Sequence, residues 1–106
     1  MRINGALDVA DNVLAAFCRK WKITEFALFG SVLRKDFSQD SDVDVLVTFE
    51  TDAHWSLLDI VDIQEELKSI FGREVDVVER AAVEESANPF RRRAILKDAR
   101  VVYSVA

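Results

Sequence analysis

The sequence has few of the features that mark a secreted, membrane-bound or zinc-binding protein. It contains one cysteine, Cys18, which excludes an internal disulfide, and one histidine, His54, which argues against a zinc site of cysteine and histidine ligands. The first residues lack the apolar stretch of a signal peptide, and no apolar run is long enough to cross a membrane. We therefore expect a cytoplasmic protein that is not associated with a membrane.

Basic residues are also too few for a protein whose main partner is nucleic acid. The 106 residues include 19 Asp and Glu against 14 Lys and Arg, which gives a net charge of −5. Nucleic-acid binders normally carry a basic excess, so nucleic acid is not expected as a partner. Half of the residues are hydrophobic, which excludes general disorder. The length fits one domain over residues 1–106.

The spacing of apolar residues predicts helices and strands in alternation. Helices are expected at residues 6–21, 55–71 and 89–98, and one helical turn at 31–35. Apolar strands are expected at 24–29, 42–49 and 74–79, followed by a short edge strand at 100–103. This order is typical of an α/β (α+β) protein whose sheet is covered by helices. The spacing leaves open whether the sheet is parallel or mixed.

Two aspartates share one face of the predicted strand at 42–49. Asp42 and Asp44 are two residues apart, so their side chains point the same way, whereas the alternating valines point toward a core. Aspartate is a poor strand former and neighbouring like charges repel, so these carboxylates need a cation to offset them. Such oxygen ligands suit Mg²⁺ or Mn²⁺. Asp76 repeats the pattern between two valines, and if its strand lies alongside, the carboxylates suit a two-metal site for phosphoryl chemistry.

A second group of candidate residues lies where the predicted strand at 24–29 ends. Glycine permits close approach of the backbone, and the N–H groups at Gly30 and Ser31, with the serine hydroxyl, can bind phosphate oxygens. Arg34 is one helical turn further on and can add a charged contact to a phosphate. These residues are the candidate nucleotide-binding residues, while the three aspartates are the candidate catalytic and metal-binding ones.

Simpler interpretations compete with this one. A lone Asp-x-Asp pair is most often a solvated surface pair, and Gly-Ser alone usually marks a turn. A calcium loop of the EF-hand type is excluded, because Val45 stands where that loop requires glycine and Thr51 where it requires glutamate. The glycine-rich P-loop pattern is absent. A basic cluster at residues 91–93 suits contacts to triphosphate, an acidic partner or RNA, but consecutive residues fan around a helix, which favours a solvated face.

Taken together, the motifs resemble the small, stand-alone MNT branch of the DNA polymerase β-like nucleotidyltransferases. The signature is Gly30-Ser31, ten intervening residues and then Asp42-Val43-Asp44. Similar segments follow at residues 57–67, 71–78, 88–90, 95–99 and 103, so the resemblance covers residues 6–104. One position departs from the pattern, because Lys35 stands where members often have glycine. This departure bears on the loop that meets the phosphates and leaves the three aspartates untouched.

The resemblance implies the nucleotidyltransferase fold, a small mixed sheet with helices packed on it. It implies AMP transfer from ATP, in which Asp42 and Asp44 bind a pair of Mg²⁺ (or Mn²⁺) ions and Asp76 binds the acceptor-side ion and helps to deprotonate the acceptor hydroxyl. Gly30 and Ser31 would hold the β- and γ-phosphates. Members of this branch commonly pair with HEPN-type ribonuclease toxins and transfer AMP to a tyrosine of the toxin. The expected partners are therefore ATP and a HEPN-domain toxin, in a hetero-oligomer or with a second copy of the chain.

Two alternatives to this function remain open. The fold can act as a catalytically silent antitoxin that inhibits its partner by contact alone, which the short length of the chain motivates. It can also transfer nucleotides to a small molecule, although relatives of that kind usually carry a further domain. The sequence leaves the acceptor, the base preference and the oligomeric state open.

Overall fold

Three strands, numbered after two short N-terminal strands that are described below, coincide with the apolar segments that the sequence predicts. They are β3 (Ile23–Phe29), β4 (Val43–Phe49) and β5 (Val75–Glu79). A computed structural model, which describes residues 2–3, 7–34 and 41–105, places them in one sheet with β6 (Arg100–Ser104), in the order β5–β4–β3–β6. β4 pairs with β5 in parallel, whereas β3 pairs antiparallel with both β4 and β6. The four-stranded sheet is therefore mixed, which confirms the arrangement that the resemblance implies.

Helices cover both faces of this sheet, because alternate residues of β3 and β4 are apolar on each face. α1 (Asp11–Lys20) and α2 (Leu57–Phe71) pack on one face, where they share a core with the buried side chains Val43, Val45 and Val47. α3 (Arg80–Glu84) and α4 (Pro89–Asp98) lie on the other face, where their Val83 and Ile95 pack against Ala27 and Leu46. No helix in the described part of the chain is both long and apolar enough to cross a membrane.

The ends of α2 follow from its capping residues. At the start, the Ser56 side chain accepts a hydrogen bond from the Asp59 backbone N–H, and the Asp59 carboxylate accepts one from the Ser56 backbone N–H. This reciprocal pair satisfies donors that the first turn leaves without helical partners. At the end, Gly72 has a φ of 71°, in the left-handed region that glycine adopts without strain. The helix therefore begins two residues later than the predicted boundary and ends where glycine predicts.

The N-terminal segment differs from its prediction. A helix was expected over residues 6–21, but α1 begins at Asp11, and Leu7–Asp8 forms a short strand, β2, which pairs antiparallel with β1 (Arg2–Ile3). Val9 lies between β2 and α1 and is buried in the core, so its apolar character serves packing rather than a helical stripe. Residue 6 lies outside the described residues. Helical spacing alone does not reveal this pairing, which depends on a neighbouring strand.

Two short elements complete the comparison with the sequence. The helical turn expected at 31–35 is a 3₁₀ helix over Gly30–Leu33, and residue 35 lies outside the described residues. α3 was not predicted, because Glu84 and Glu85 suggest a solvated polar stretch. Its only buried side chain is Val83, so the segment lacks the repeated apolar spacing that identifies a helix from sequence.

Cys18 provides a test of the core. Its side chain is 0% exposed, and burial raises the pKa of its thiol to about 12, an effect that the nearby Arg19 only partly opposes. Since the thiolate is the reactive form, we expect a disulfide reagent to label the folded protein roughly 1000-fold more slowly than the chain in guanidinium chloride. The unfolded thiol ionises from about pH 9 while the folded thiol stays neutral, so this residue's contribution to stability should fall above that pH. Rapid labelling of the folded protein at neutral pH would contradict the buried position of the Cys18 thiol.

Candidate active site

The three predicted aspartates meet at one edge of the sheet. In the parallel pairing of β4 with β5, Asp44 lies directly opposite Asp76, and Asp42 immediately precedes β4. The antiparallel partner strand β3 ends at the same edge, where Phe29 lies opposite Asp44 and Gly30 follows. Strand register therefore brings together residues that are up to 46 positions apart in the sequence.

Alternation along the strands decides which face the carboxylates occupy. Leu46 and Val78 pack in the core beneath α3 and α4, and Asp44 and Asp76 lie two residues before them on the same strands. Residues two apart in a strand share a face, so both carboxylates lie on the α3–α4 face, beyond the part that those helices bury. Asp44 is half-buried there, whereas Asp76 is exposed. The edge is thus open to a ligand.

The carboxylates are close enough to influence one another. Burial raises the pKa of Asp44, and the negative charges of Asp76 and Asp42 raise it further, while the positive charge of Arg34 acts in the opposite direction. Like charges in a partly desolvated place favour the protonated form of the group between them. Among the residues that the structure describes, the charge of Arg34 only partly offsets these aspartates, and a bound cation would offset them further.

The bend at Gly30 and Ser31, where β3 ends, is in direct contact with Asp42 and Asp44. Gly30 has a φ of 74°, and a Cβ atom at this position would collide with the Asp44 carboxylate. The Ser31 hydroxyl donates a hydrogen bond of 3.3 Å to the Asp42 carbonyl oxygen. Arg34 follows the 3₁₀ helix, and its backbone N–H donates to the Ser31 carbonyl at 3.0 Å. All six candidate residues are therefore neighbours along one edge, and a side chain at position 30 would displace the Asp44 carboxylate from its place.

The carboxylate oxygens of the three aspartates suit a hard divalent cation, although the side chains do not surround a metal position. Among residues 2–3, 7–34 and 41–105, no group of three or more His, Cys, Asp or Glu side chains converges as a ready-made metal site. The neighbouring carboxylates of Asp42, Asp44 and Asp76, of which Asp44 has a raised pKa, nevertheless supply the oxygen ligands that Mg²⁺ and Mn²⁺ prefer.

Other polar and aromatic residues singled out in the sequence lie elsewhere. His54 is exposed ahead of α2. Trp55 packs edge-on against Trp21 and donates a hydrogen bond of 3.0 Å to its carbonyl, which is a structural contact. In the basic cluster, Arg92 donates to the Glu84 carbonyl at 3.4 Å and thereby joins α4 to α3. Neither aromatic residue nor this arginine belongs to the acidic edge, the edge of the sheet that carries Asp42, Asp44 and Asp76.

The structure adds one residue that the sequence analysis did not select. Asp98, the last residue of α4, lines a cavity of about 340 Å³ together with Gly30, Leu33 and Arg34. A signal was available, because an acidic residue at the C-terminal end of a helix opposes the helix dipole. That signal identifies an unfavourable position but not the site to which the residue belongs.

Comparison with known proteins places this site in a family. The sequence profile of the nucleotidyltransferase domain matches residues 10–102. The protein adenylyltransferase MntA of Thermococcus cleftensis is 32% identical over 81 residues, which are 73% of this chain and 80% of MntA.

Solved structures agree with the profile. The structure of a candidate minimal nucleotidyltransferase superposes with a TM-score of 0.64 and 29% identity, over 84% of this chain and 85% of the other. A toxin–antitoxin structure with AMP-PNP has a TM-score of 0.67 at 19% identity, over 89% and 73% of the two chains. Tri-AMPylated Shewanella oneidensis HEPN toxin in complex with MNT antitoxin gives a TM-score of 0.59 at 19% identity, over 89% and 69%. At such low identity the latter two show a shared fold.

Neutralising the central aspartate should stabilise the metal-free protein. We expect Asp44→Asn to raise the free energy of unfolding in EDTA by about 0.5 kcal/mol at neutral pH, because it removes a partly buried charge and its repulsion from Asp76 and Asp42. Since folding raises the pKa of Asp44, the advantage of the variant should grow as pH rises through that raised pKa, and vanish where the wild-type carboxyl is protonated. Thermal unfolding across pH measures this.

Added Mg²⁺ should reverse the ranking of the two proteins. Millimolar Mg²⁺ is expected to raise the melting temperature of the wild type more than that of Asp44→Asn. Asp62→Asn, which removes an exposed carboxylate from α2, is the matched control and should respond to Mg²⁺ like the wild type. A variant that is less stable than wild type in EDTA, or that gains as much from Mg²⁺, would contradict the repulsive cluster.

Proposed function

The chain belongs to the nucleotidyltransferase domain family, and from this premise we propose that it transfers AMP from ATP to a tyrosine hydroxyl of a HEPN-type toxin. The observation that carries the proposal is the in-register pairing of Asp44 with Asp76 beside the Gly30–Ser31 bend. The MntA relative is named a protein adenylyltransferase, and the AMPylated HEPN toxin bound to MNT antitoxin supports a toxin as the acceptor. The toxin–antitoxin structure with AMP-PNP supports ATP as the donor.

The residues of the bend bind the part of ATP that leaves. Backbone N–H groups at Gly30 and Ser31, with the serine hydroxyl, hold the β- and γ-phosphates, and the exposed Arg34 adds positive charge. Asp42 and Asp44, together with Asp76, would hold Mg²⁺ or Mn²⁺ ions. When bound, such ions polarise the α-phosphate and neutralise charge on the leaving pyrophosphate. The chain thus orients the triphosphate with its α-phosphorus facing the aspartates.

Asp76 is placed to serve the acceptor. It is exposed and lies on β5, which has a single partner strand in the sheet, so this side of the edge is accessible to another protein. Its carboxylate takes the proton of the attacking tyrosine hydroxyl. The phenolic oxygen forms a bond to the α-phosphorus, the bond from that phosphorus to the bridging oxygen breaks, and pyrophosphate leaves. The products are tyrosine-bound AMP and pyrophosphate.

Transfer of label tests the proposed reaction. The protein is incubated with Mg²⁺, α-labelled ATP and the product of the adjacent gene, which the proposal expects to be a HEPN-domain toxin, and label is expected on that partner. EDTA should abolish the labelling. Asp42→Asn and Asp76→Asn should each lower its rate about 100-fold or more, because each removes a charge needed at the phosphate or the acceptor. Asp62→Asn, exposed on α2, should transfer at the wild-type rate.

Each outcome separates the proposal from its competitors. Circular dichroism must show that the aspartate variants remain folded. Absence of label on any protein would refute adenylyl transfer to a toxin, and label on a small molecule would replace it with the small-molecule reaction. Full neutralisation of the toxin by Asp42→Asn and Asp76→Asn would instead show inhibition by contact alone.

Two glycines offer a matched pair of variants. Gly30 and Gly72 both have left-handed φ values, 74° and 71°, so alanine should strain the backbone by about 1 kcal/mol at either position. A Cβ at Gly72 meets no atom within 4 Å, whereas one at Gly30 meets the Asp44 carboxylate. We therefore expect Gly30→Ala to lose at least as much stability as Gly72→Ala, and only Gly30→Ala should lower AMP transfer, by roughly 10-fold or more. Equal transfer rates in the two folded variants would show that the space at position 30 does not matter.

A further inference from the structure

A cavity of about 340 Å³ adjoins the phosphate-binding bend on the side away from Asp76. Its lining contains Gly30 from the bend, Leu33 and Arg34 from the end of the 3₁₀ helix that follows, and Asp98 from the end of α4. We propose that this cavity seats the nucleoside part of the nucleotide and that the Asp98 carboxylate binds a ribose hydroxyl. The proposal rests on the proposed function, since it takes ATP as the donor.

Strand order explains why α4 ends beside the bend. β6 pairs with β3, and Arg100, its first residue, lies opposite Leu28. Asp98 precedes that residue by two positions, and Gly30 follows Leu28 by two. α4 also packs on the same face of the sheet that carries Asp44. The edge of the sheet therefore presents, in order, Asp76, Asp44, the bend at Gly30 and then Asp98.

Stability does not account for an aspartate at position 98. The residue ends α4, where the unpaired carbonyls make the helix terminus negative and where a basic side chain would be favoured. None of the ion pairs or hydrogen bonds among residues 2–3, 7–34 and 41–105 uses its carboxylate, and the residue is exposed. Its removal should therefore leave the melting temperature unchanged or raise it slightly.

The chemistry of the cavity favours a sugar over a phosphate. An ionised carboxylate only accepts hydrogen bonds and repels the triphosphate, so the phosphates belong with the N–H groups of the bend and with Arg34. Ribose hydroxyls are neutral donors, and a carboxylate holds a ribose hydroxyl in the same manner in dinucleotide-binding domains. Leu33 adds an apolar surface against the sugar or base, and the volume lies at the lower end of small-ligand pockets.

Nucleotide analogues test the role of Asp98 without an acceptor. The affinities of the wild type and of Asp98→Ala for ATP, 2′-deoxy-ATP and 3′-deoxy-ATP are measured by calorimetry with Mg²⁺. The wild type should bind ATP roughly 10-fold more tightly than at least one deoxy analogue, because a hydrogen bond to a charged acceptor is lost. In Asp98→Ala the affinity for ATP should fall to that of the analogue and the preference should disappear. Asp62→Ala, which removes an exposed carboxylate from α2, should keep the preference.

The outcomes separate this inference from the proposed function. A preference for ATP that survives in Asp98→Ala, or a wild type that does not distinguish the three nucleotides, would overturn the ribose contact. An equal fall in affinity for all three nucleotides would also overturn it, since the carboxylate would then act elsewhere on the ligand. If the preference disappears as expected but no AMP reaches a toxin, the nucleotide site stands and the proposed acceptor is wrong. Failure to bind ATP at all would overturn both.

Discussion

The parallel pairing of β4 with β5 is the constraint on which the rest of the molecule depends. Its register sets Asp44 opposite Asp76, and the pKa of Asp44 is raised first by burial and then by the negative charges of Asp76 and Asp42. A cross-strand pair of like charges costs at most about 1 kcal/mol, whereas each buried valine on the opposite face of β4 contributes about 1.5–3 kcal/mol. Val43, Val45 and Val47 are all 0% exposed, so the strand tolerates its acidic face. Alternation thus lets one strand stabilise the core and carry the site.

The alternation of side chains within each strand is local in sequence, and for that reason much of the site was predictable. Two-residue periodicity placed Asp42 and Asp44 on one face, and the same pattern around Asp76 identified the strand that joins them. The glycine at position 30 was predicted to allow close approach, and its neighbour is the Asp44 carboxylate itself. The roles of these residues in catalysis stay predictions, whereas their convergence on one edge is a property of the fold.

The features that escaped prediction depend on contacts between distant segments. Helical spacing around Val9 was compatible with a longer α1, and only pairing of Leu7–Asp8 with Arg2–Ile3 selects a strand there. The direction of pairing between strands is likewise absent from their periodicity, so the mixed sheet was anticipated only through the resemblance. Asp98 shows the same limit, because its position beside Gly30 follows from β6 pairing with β3, and neither residue's surroundings in the sequence indicate it.

The order of elements along the acidic edge also gives the proposed reaction a direction. At one end, β5 is bordered by a single strand and leaves Asp76 exposed, so a partner can approach there. At the other end, β6 and the last turn of α4 border the cavity beside Gly30, which suits a small ligand rather than a protein. In the proposed reaction the nucleotide and the acceptor would therefore reach Asp44 from opposite sides. In-line displacement requires the attacking tyrosine oxygen and the leaving pyrophosphate oxygen to lie on opposite sides of the phosphorus, and the proposed placement of pyrophosphate at the bend, away from Asp76, meets this requirement. A small domain can meet that requirement because sheet order already separates the two approaches.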